Sequence, residues 1–194
     1  MFNKLYSKIQ SEVCYGLNFF EASKLYNILN EIKELNGDIV EVGVWKGASA
    51  KIICELKKND KVLHLFDTFE GTVLEKSNVA YREDNYISNI DDVKNYLKEY
   101  FNVKFYKGVF PTETLKHIKN KKINYSLVHI DVDTGHTTWL AMEYFYNKLV
   151  HNGYMLIHDY GIINEVTIAV DEFVTDNKIK LDEVCASLAI IKKQ

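Results

Sequence analysis

The sequence has few of the residues that hold small secreted domains together. Its 194 residues include one proline and three cysteines, Cys14, Cys54 and Cys185, and no two cysteines form a C-x-x-C pair. An odd number of isolated cysteines argues against a disulfide framework and against a zinc knuckle. A chain of this length buries enough surface to fold without either. We therefore expect a protein of a reducing compartment, the cytoplasm.

Long apolar runs and an excess of one charge are also missing. Lys4 and Lys8 interrupt the N-terminal residues before an apolar run forms, and no stretch approaches the roughly 20 apolar residues of a membrane span. Lysine and arginine total 24, aspartate and glutamate total 27, and the formal net charge is −3. Such a chain has no electrostatic attraction to nucleic acid or to anionic lipid. We expect neither as a partner, and a small molecule instead.

From Gly37 onward, short apolar runs alternate with longer amphipathic segments, which is typical of parallel strands joined by crossover helices. The predicted strands are residues 39–44, 62–66, 103–106, 126–130, 154–157 and 187–191. The nearly continuous apolar run at 126–130 indicates a central strand covered on both faces. We expect the last strand to be antiparallel at a sheet edge and Asn152-Gly153 to form a turn. The pattern predicts a single-domain α/β fold.

Amphipathic segments predict helices before and between these strands. They comprise residues 17–35, a segment after Gly47, a helix capped by Asp91 or Asp92 that ends near Tyr100, and residues 112–119, 137–149 and 163–176. The polar stretch 69–89 is long enough for a functional lid. We expect residues 1–36 to be a helical segment that either covers the cleft of the main domain, residues 37–194, or pairs with a second subunit in a homodimer.

Polar residues follow four of the predicted strands. Gly43 to Gly47 follow the first strand, Asp67 the second, Asp131 and Asp133 the fourth, and His158 and Asp159 the fifth. The carboxyl ends of parallel strands share one edge, where open α/β sheets bind ligands, so we expect these groups to line one cleft. Each aspartate taken alone is equally well a loop or capping residue. If all of these residues had only such structural roles, their occurrence after four strands would require several coincidences.

The first of these turns favours a nucleoside over a dinucleotide. Glu41-Val42-Gly43-Val44-Trp45-Lys46-Gly47 lacks the G-x-G-x-x-G spacing that lets a backbone approach a pyrophosphate. Its two glycines still permit close backbone approach, and the helix start behind them offers free N–H groups to a carboxylate. Asp67 comes 24 residues after Gly43, near the position where an acidic side chain accepts both ribose hydroxyls. An adenosine that carries an amino acid tail fits both features.

Five segments, in order, resemble those of the macrocin O-methyltransferase family of class I S-adenosylmethionine-dependent methyltransferases. Residues 37–47 resemble its cofactor turn, residues 66–71 its ribose-binding segment and residues 107–112 its adenine-side loop. Ile130-Asp131-Val132-Asp133 and His158-Asp159-Tyr160-Gly161 resemble its metal-site motifs. Each motif is short, but their order and spacing over residues 36–161 make the resemblance specific.

The resemblance implies a Rossmann-like methyltransferase fold, with a mostly parallel seven-stranded sheet whose last strand is antiparallel and which helices flank. It implies S-adenosyl-L-methionine as cofactor, a divalent metal ion (Mg²⁺ or Mn²⁺), and methyl transfer to a hydroxyl of a sugar or related small molecule. The implied cofactor-binding residues are Glu41, Gly43, Trp45, Gly47, Ser49, Asp67, Thr68, Gly108, Phe110 and Asp131. The implied metal ligands are Asp131, His158 and Asp159, and either Asp133 or His136 is expected to accept the hydroxyl proton.

The sequence departs from the family pattern at the metal site. His158-Asp159 stands where the family usually has two aspartates, and Thr134-Gly135-His136 stands where a bulkier, acidic stretch is common. Mg²⁺ prefers oxygen ligands, whereas an imidazole suits Mn²⁺, Fe²⁺, Zn²⁺ or Ni²⁺ better. Either Asp131, Asp159 and His158 hold a divalent ion, or His158 is no ligand and the site is metal-free.

Two other functions remain open. One is an NAD(P)-dependent oxidoreductase on the same sheet, against which the missing glycine pattern argues. The other is a methyltransferase-like binding protein without catalysis, which the departure at His158 permits. Single residues have structural alternatives too, because Trp45 and Phe110 suit packing positions and His136 suits a solvent-facing position at the start of a helix.

Overall fold

The computed structural model describes residues 1–13, 16–72, 86–118 and 122–194, and within them seven strands form one sheet. The strands are β1 (Asp38–Val42), β2 (Leu63–Asp67), β3 (Val103–Lys107), β4 (Tyr125–Ile130), β5 (Leu149–Ile157), β6 (Glu183–Cys185) and β7 (Leu188–Lys192). Their order across the sheet is β3-β2-β1-β4-β5-β7-β6. Strands β1 to β5 are parallel, and β7 runs antiparallel to β5 and to β6. The predicted α/β fold, with a mostly parallel sheet and an antiparallel last strand, is confirmed.

Six α-helices flank this sheet in the described residues. They are α1 (Phe2–Glu12), α2 (Phe19–Glu31), α3 (Ala48–Leu56), α4 (Ile90–Tyr96), α5 (Gly135–Tyr146) and α6 (Asn164–Asp176), with a 3-10 turn at Leu115–His117. None of the helices in the described part of the chain has the length and apolar character needed to cross a membrane.

The core lies on both faces of the sheet because side chains alternate along each strand. Leu127 of β4 packs with α1, α2, α3 and α4 on one face, and Val128 packs with α5 and α6 on the other. All six residues of β4 are buried, and β4 is the middle strand of the seven. The continuous apolar run therefore correctly indicated a central strand.

Several local predictions were wrong. Strand β7 lies between β5 and β6 rather than at an edge, because the short strand Glu183–Cys185 covers its outer side. Asn152-Gly153 lies inside β5, where Asn152 has a positive φ of 62° and locally bends a strand that begins at Leu149. Residues 112–118 contain a 3-10 turn instead of an α-helix.

Helix α4 begins differently from the prediction. Its cap is Asn89, whose side chain accepts a hydrogen bond from the Asp91 backbone N–H at 2.8 Å. Asp91 and Asp92 are the second and third residues of the helix. Their negative charges are favourable there because the N-terminus is the positive end of the helix dipole. Asparagine is as good a cap as aspartate, and the prediction of Asp91 or Asp92 as the cap was wrong.

Candidate functional site

The carboxyl ends of β1, β2, β4 and β5 open into one crevice, which we call the cleft. Eleven of the residues named from the sequence line it: Gly43, Trp45, Ser49, Asp67, Thr68, Gly108, Phe110, Asp131, Asp133, His158 and Asp159. The sheet brings them together because parallel strands end at the same edge. Residues from five separate segments thus share one cavity.

The backbone is strained where four strands leave the sheet. Trp45, Phe69, Asp133 and Asp159 follow β1, β2, β4 and β5, and each has a positive φ, between 47° and 64°. Non-glycine residues rarely adopt this conformation, and it concentrates at binding and catalytic sites. These tight turns place side chains of neighbouring strands around one cavity.

Gly43 permits the closest approach between two of these segments. A β-carbon at this residue would lie 1.7 Å from the carbonyl oxygen of Asp131, and its φ is +88°. No other residue type fits without moving one of the two strand ends. The glycine therefore lets the turn after β1 pack directly against the segment that carries the acidic residues of β4.

Asp67 joins the turn after β1 to the end of β2. Its Oδ2 accepts the N–H groups of Val44 at 2.6 Å and Trp45 at 2.8 Å. Its Oδ1 accepts the N–H of Phe69 at 2.6 Å. A carboxylate has about four acceptor positions, so Asp67 is largely occupied in holding this turn. Binding of two ribose hydroxyls by Asp67 would require release of at least one N–H group.

Asp131, His158 and Asp159 form a cluster that could hold a metal ion. The Nδ1 atom of His158 lies 3.1 Å from Asp131 Oδ1 and 3.1 Å from Asp159 Oδ1. One ligand atom from each residue lies within 4.8 Å of the others. Asp159 Oδ2 is buried and has no hydrogen-bond partner among the described residues. Buried polar atoms normally have partners, so this cluster is incomplete as it stands.

The charges of the cluster act strongly on one another. Burial opposes the charged form of His158, but Asp131, Asp159 and Glu21 raise the pKa of its imidazole well above the usual range. Burial also acts against ionisation of Asp131, yet His158 keeps the pKa of that carboxyl low. Burial, followed by the charges of Asp131 and Asp159, raises the pKa of Asp133 to about 8. Asp133 can therefore gain or lose a proton close to neutral pH.

A model of the macrocin O-methyltransferase (TylF) family matches residues 22–186. The chain belongs to this family. A curated relative, demethyldecarbamoylnovobiocin O-methyltransferase of Streptomyces niveus, is 21% identical over 172 residues. The match covers 75% of this chain and 63% of the relative, so the chain spans less than two thirds of that protein's length.

Solved structures of methyltransferases have the same fold as this member of the macrocin O-methyltransferase family. The O-methyltransferase NovP superposes with a TM-score of 0.76 and 20% identity, over 89% of this chain and 78% of that one. CalS11, a calicheamicin methyltransferase, superposes with a TM-score of 0.73 and 14% identity, over 98% of this chain and 91% of that one. At these identities the likeness establishes the fold, and the Rossmann-like methyltransferase architecture is confirmed.

Three of the residues named from the sequence do not line the cleft. Glu41 is fully buried beneath the turn after β1, and its Oε1 lies 2.9 Å from Nδ1 of the equally buried His129. Burial raises the pKa of Glu41. Gly47 is the N-cap of α3, with φ 81°. His136 is exposed in the first turn of α5.

Trp45 and Phe110, for which the sequence left both a binding and a packing role open, line the cleft but pack differently. Phe110 is 6% exposed and stacks on Phe145 with ring centroids 5.6 Å apart, so it is mainly a core residue with an edge at the cleft. Trp45 is partly exposed and packs edge-on against Tyr86 at 5.5 Å, and its buried indole Nε1 has no partner among the described residues.

The N-terminal segment also reaches the cleft, which the sequence left undecided. Gly16 and Leu17 line it together with Thr72 and Tyr86, the two described residues that bound positions 73–85. Positions 73–85, the middle of the predicted lid, lie outside the described residues, as does Cys14.

Sequence reasoning missed Glu21 of α2. This residue is 1% exposed, and its Oε2 lies 3.3 Å from Nε2 of His158. A signal was available, because Glu21 falls at helical spacing between Leu17, Leu25 and Ile28, on the apolar face of the helix. A charged residue on an apolar face needs a buried partner.

Proposed function

We propose that this protein is an S-adenosylmethionine-dependent O-methyltransferase that methylates a hydroxyl of a sugar or related small molecule with the help of a divalent cation. The observation that carries the proposal is the meeting of Asp67, Asp131, Asp133, His158 and Asp159 in one cleft of a chain from the macrocin O-methyltransferase family. The curated relative is named demethyldecarbamoylnovobiocin O-methyltransferase, and CalS11 is described as a TDP-rhamnose 3'-O-methyltransferase. Those names support a sugar-like acceptor.

The half of the cleft formed by β1, β2 and β3 is proposed to bind the cofactor. S-adenosylmethionine, when bound, supplies a methyl group on a positively charged sulfur. The turn at Gly43 allows the backbone to approach a ligand closely, and the partnerless Nε1 of Trp45 is a free donor at this position. Asp67 and Thr68 are placed toward the ribose, and Gly108 and Phe110 toward the adenine. Ser49 lines the same half and contacts Glu41 beneath it.

The other half, formed by β4 and β5, is proposed to bind and activate the acceptor. Asp131, His158 and Asp159 would hold the divalent cation, and the buried, partnerless Oδ2 of Asp159 fits that role. The chemistry that such a cation would supply is Lewis-acid catalysis, which lowers the pKa of a hydroxyl. The nitrogen donor favours Mn²⁺ or a later transition metal over Mg²⁺.

Asp133 is the better candidate for accepting the hydroxyl proton. It lines the cleft beside the cluster, whereas His136 is exposed and does not line the cleft. A general base must reach the proton that it removes, which favours Asp133 on position alone.

Calorimetry with S-adenosylhomocysteine, with NAD⁺ in parallel, tests the cofactor. We expect binding of the first and none of the second, and the reverse result would favour the oxidoreductase. Methyl transfer is then assayed from labelled S-adenosylmethionine to TDP-rhamnose and other nucleotide sugars, with Mn²⁺ and with a chelator. Cofactor binding without transfer to any acceptor would favour a binding protein, and full activity in chelator would reject the cation.

A further inference from the structure

A carboxylate of the N-terminal segment lies directly behind His158, on the side away from the cleft. Glu21 Oε2 is 3.3 Å from His158 Nε2. Glu21 Oε1 accepts the backbone N–H of Ser187 at 3.0 Å and its hydroxyl at 2.5 Å. Helix α2 and the residue just before β7 thus fix this carboxylate against the ring.

The ring of His158 therefore bridges two sets of carboxylates. Nε2 faces Glu21, and Nδ1 faces Asp131 and Asp159 at 3.1 Å each. A neutral imidazole has one N–H donor and one lone pair, and an ionised carboxylate only accepts hydrogen bonds. A cation displaces the proton from the ring nitrogen that it binds. With the remaining hydrogen on Nε2, facing Glu21, the lone pair on Nδ1 would face the cleft. The partner of one ring nitrogen decides which nitrogen can bind a cation.

We propose that Glu21 is a positioning residue of the cleft: its carboxylate holds the Nε2–H of His158 and keeps the Nδ1 lone pair directed at a divalent cation shared with Asp131 and Asp159. The inference rests on the proposed function, because it concerns the same cation. Residues that hydrogen-bond to a metal-ligating histidine fix its tautomer and raise its affinity for the metal.

Capping of α2 does not by itself explain the contacts that Glu21 makes. Glu21 Oε2 also accepts the backbone N–H of Asn18 at 2.9 Å and completes a capping box. A glutamine performs that task as well. Glu21 also contacts parts of the fold that capping does not involve, because Oε1 accepts the N–H and the hydroxyl of Ser187 and Oε2 faces the His158 ring. The carboxylate thus makes contacts that helix capping does not require.

The substitution Glu21→Gln retains the size of the side chain and one acceptor oxygen, and it removes the charge. Its NH₂ group replaces the oxygen that faces either Ser187 or Asn18 and His158. Glu31→Gln is the matched control. Glu31 is on the same helix and accepts hydrogen bonds from Tyr154 and Lys192, so it also links α2 to the sheet, but it does not line the cleft. Ser187→Ala is a second test variant, because it removes one hydrogen bond that orients Glu21.

Mn²⁺ binding is measured by electron paramagnetic resonance of the free ion and by calorimetry, with S-adenosylhomocysteine affinity as the control readout. We expect Glu21→Gln to weaken Mn²⁺ binding by about 10- to 100-fold, Ser187→Ala to weaken it by less, and Glu31→Gln to leave it unchanged. The affinity for S-adenosylhomocysteine measured without metal should be the same in all four proteins. A purely structural role of Glu21 would change both affinities or neither.

Long-range ¹H–¹⁵N spectra of the histidine rings give a second readout that does not depend on activity. With Zn²⁺ bound, the wild type should show hydrogen on Nε2 and metal on Nδ1 of His158, and Glu21→Gln should alter the Nε2 signal. Equal Mn²⁺ affinity and equal ring spectra in wild type and Glu21→Gln would overturn the inference and leave the proposed function intact. A wild type that binds no divalent cation would reject the cation in the proposed function together with this inference. If Glu21→Gln does not fold, unchanged Mn²⁺ affinity of Ser187→Ala is the overturning result.

Discussion

The two halves of the cleft differ in the groups that hold them together. At the ends of β1 and β2, Asp67 accepts three backbone N–H groups. At the ends of β4 and β5, the His158 ring lies 3.1 Å from Asp131 and from Asp159, and three carboxylates line the cavity. We call the first the organised half and the second, in which Asp159 Oδ2 is buried without a partner among the described residues, the incomplete half. Substitutions should therefore affect the organised half through its shape and the incomplete half through its charge.

The largest effect is expected at the incomplete half. Asp159→Asn should reduce methyl transfer by roughly 1000-fold, because an ionic ligand to the cation is lost. Affinity for S-adenosylhomocysteine, measured by calorimetry, should stay within about twofold of the wild type, given the range of such effects. Asp171→Asn is the control, since Asp171 is exposed and bonds Tyr160, the residue next to Asp159, at 2.9 Å. Retained turnover in Asp159→Asn would contradict the cation model.

The next effect concerns the stability of the organised half. Gly43→Ala should lower the free energy of unfolding by more than about 3 kcal/mol, because strain at positive φ adds to steric overlap. The overlap is specific, since the new β-carbon would lie 1.7 Å from the Asp131 oxygen. Gly161→Ala has a similar φ of +79° with nothing within 4 Å, and it should cost only ~1 kcal/mol. Urea unfolding of both variants measures the difference, and equal costs would argue against close packing of the two strand ends.

Asp67→Ala should weaken S-adenosylhomocysteine binding by about 10- to 100-fold, the value of a hydrogen bond to a charged group. Folding should be retained, as measured by circular dichroism. Glu70→Ala is the control, because Glu70 is exposed, pairs with Lys107 and does not line the cleft. Unchanged cofactor affinity would remove Asp67 from the ribose site and leave it with a structural role in the turn.

The smallest effect lies outside the cleft. Hydrogen bonds from Lys192 and Tyr154 keep the pKa of Glu31 below the ordinary value of a glutamate. A carboxyl with a lowered folded-state pKa contributes stability above its unfolded pKa and loses it as the pH falls. Because Glu31 is mostly exposed, Glu31→Gln should cost under ~1 kcal/mol at pH 7. The difference in melting temperature from the wild type should fade below about pH 4. A difference that stays constant with pH would mean that the ion pair contributes nothing.

Much of the fold and many of the cleft residues could be predicted from the sequence, because they depend on short-range pattern. Apolar runs separated by amphipathic segments indicated parallel strands, and the residues after those runs were the ones that meet at the sheet edge. Errors arose where a local signal had two meanings. Asn152-Gly153 is a typical turn sequence, but here it bends strand β5. Strand β6 has only three residues, and its hydrophobic pattern is too short to predict a strand.

The sequence by itself determined the alternation of strands and helices along the chain, the positions of the acidic residues at the strand ends and the departure at His158. Only the tertiary structure decided that Glu41 is buried beneath the cleft, that His136 is exposed outside it, and that Glu21 lies behind His158. The physical reason is distance along the chain. Glu21 and His158 are 137 residues apart, and a contact of that kind depends on how helices pack on a sheet, which no local pattern of side chains records.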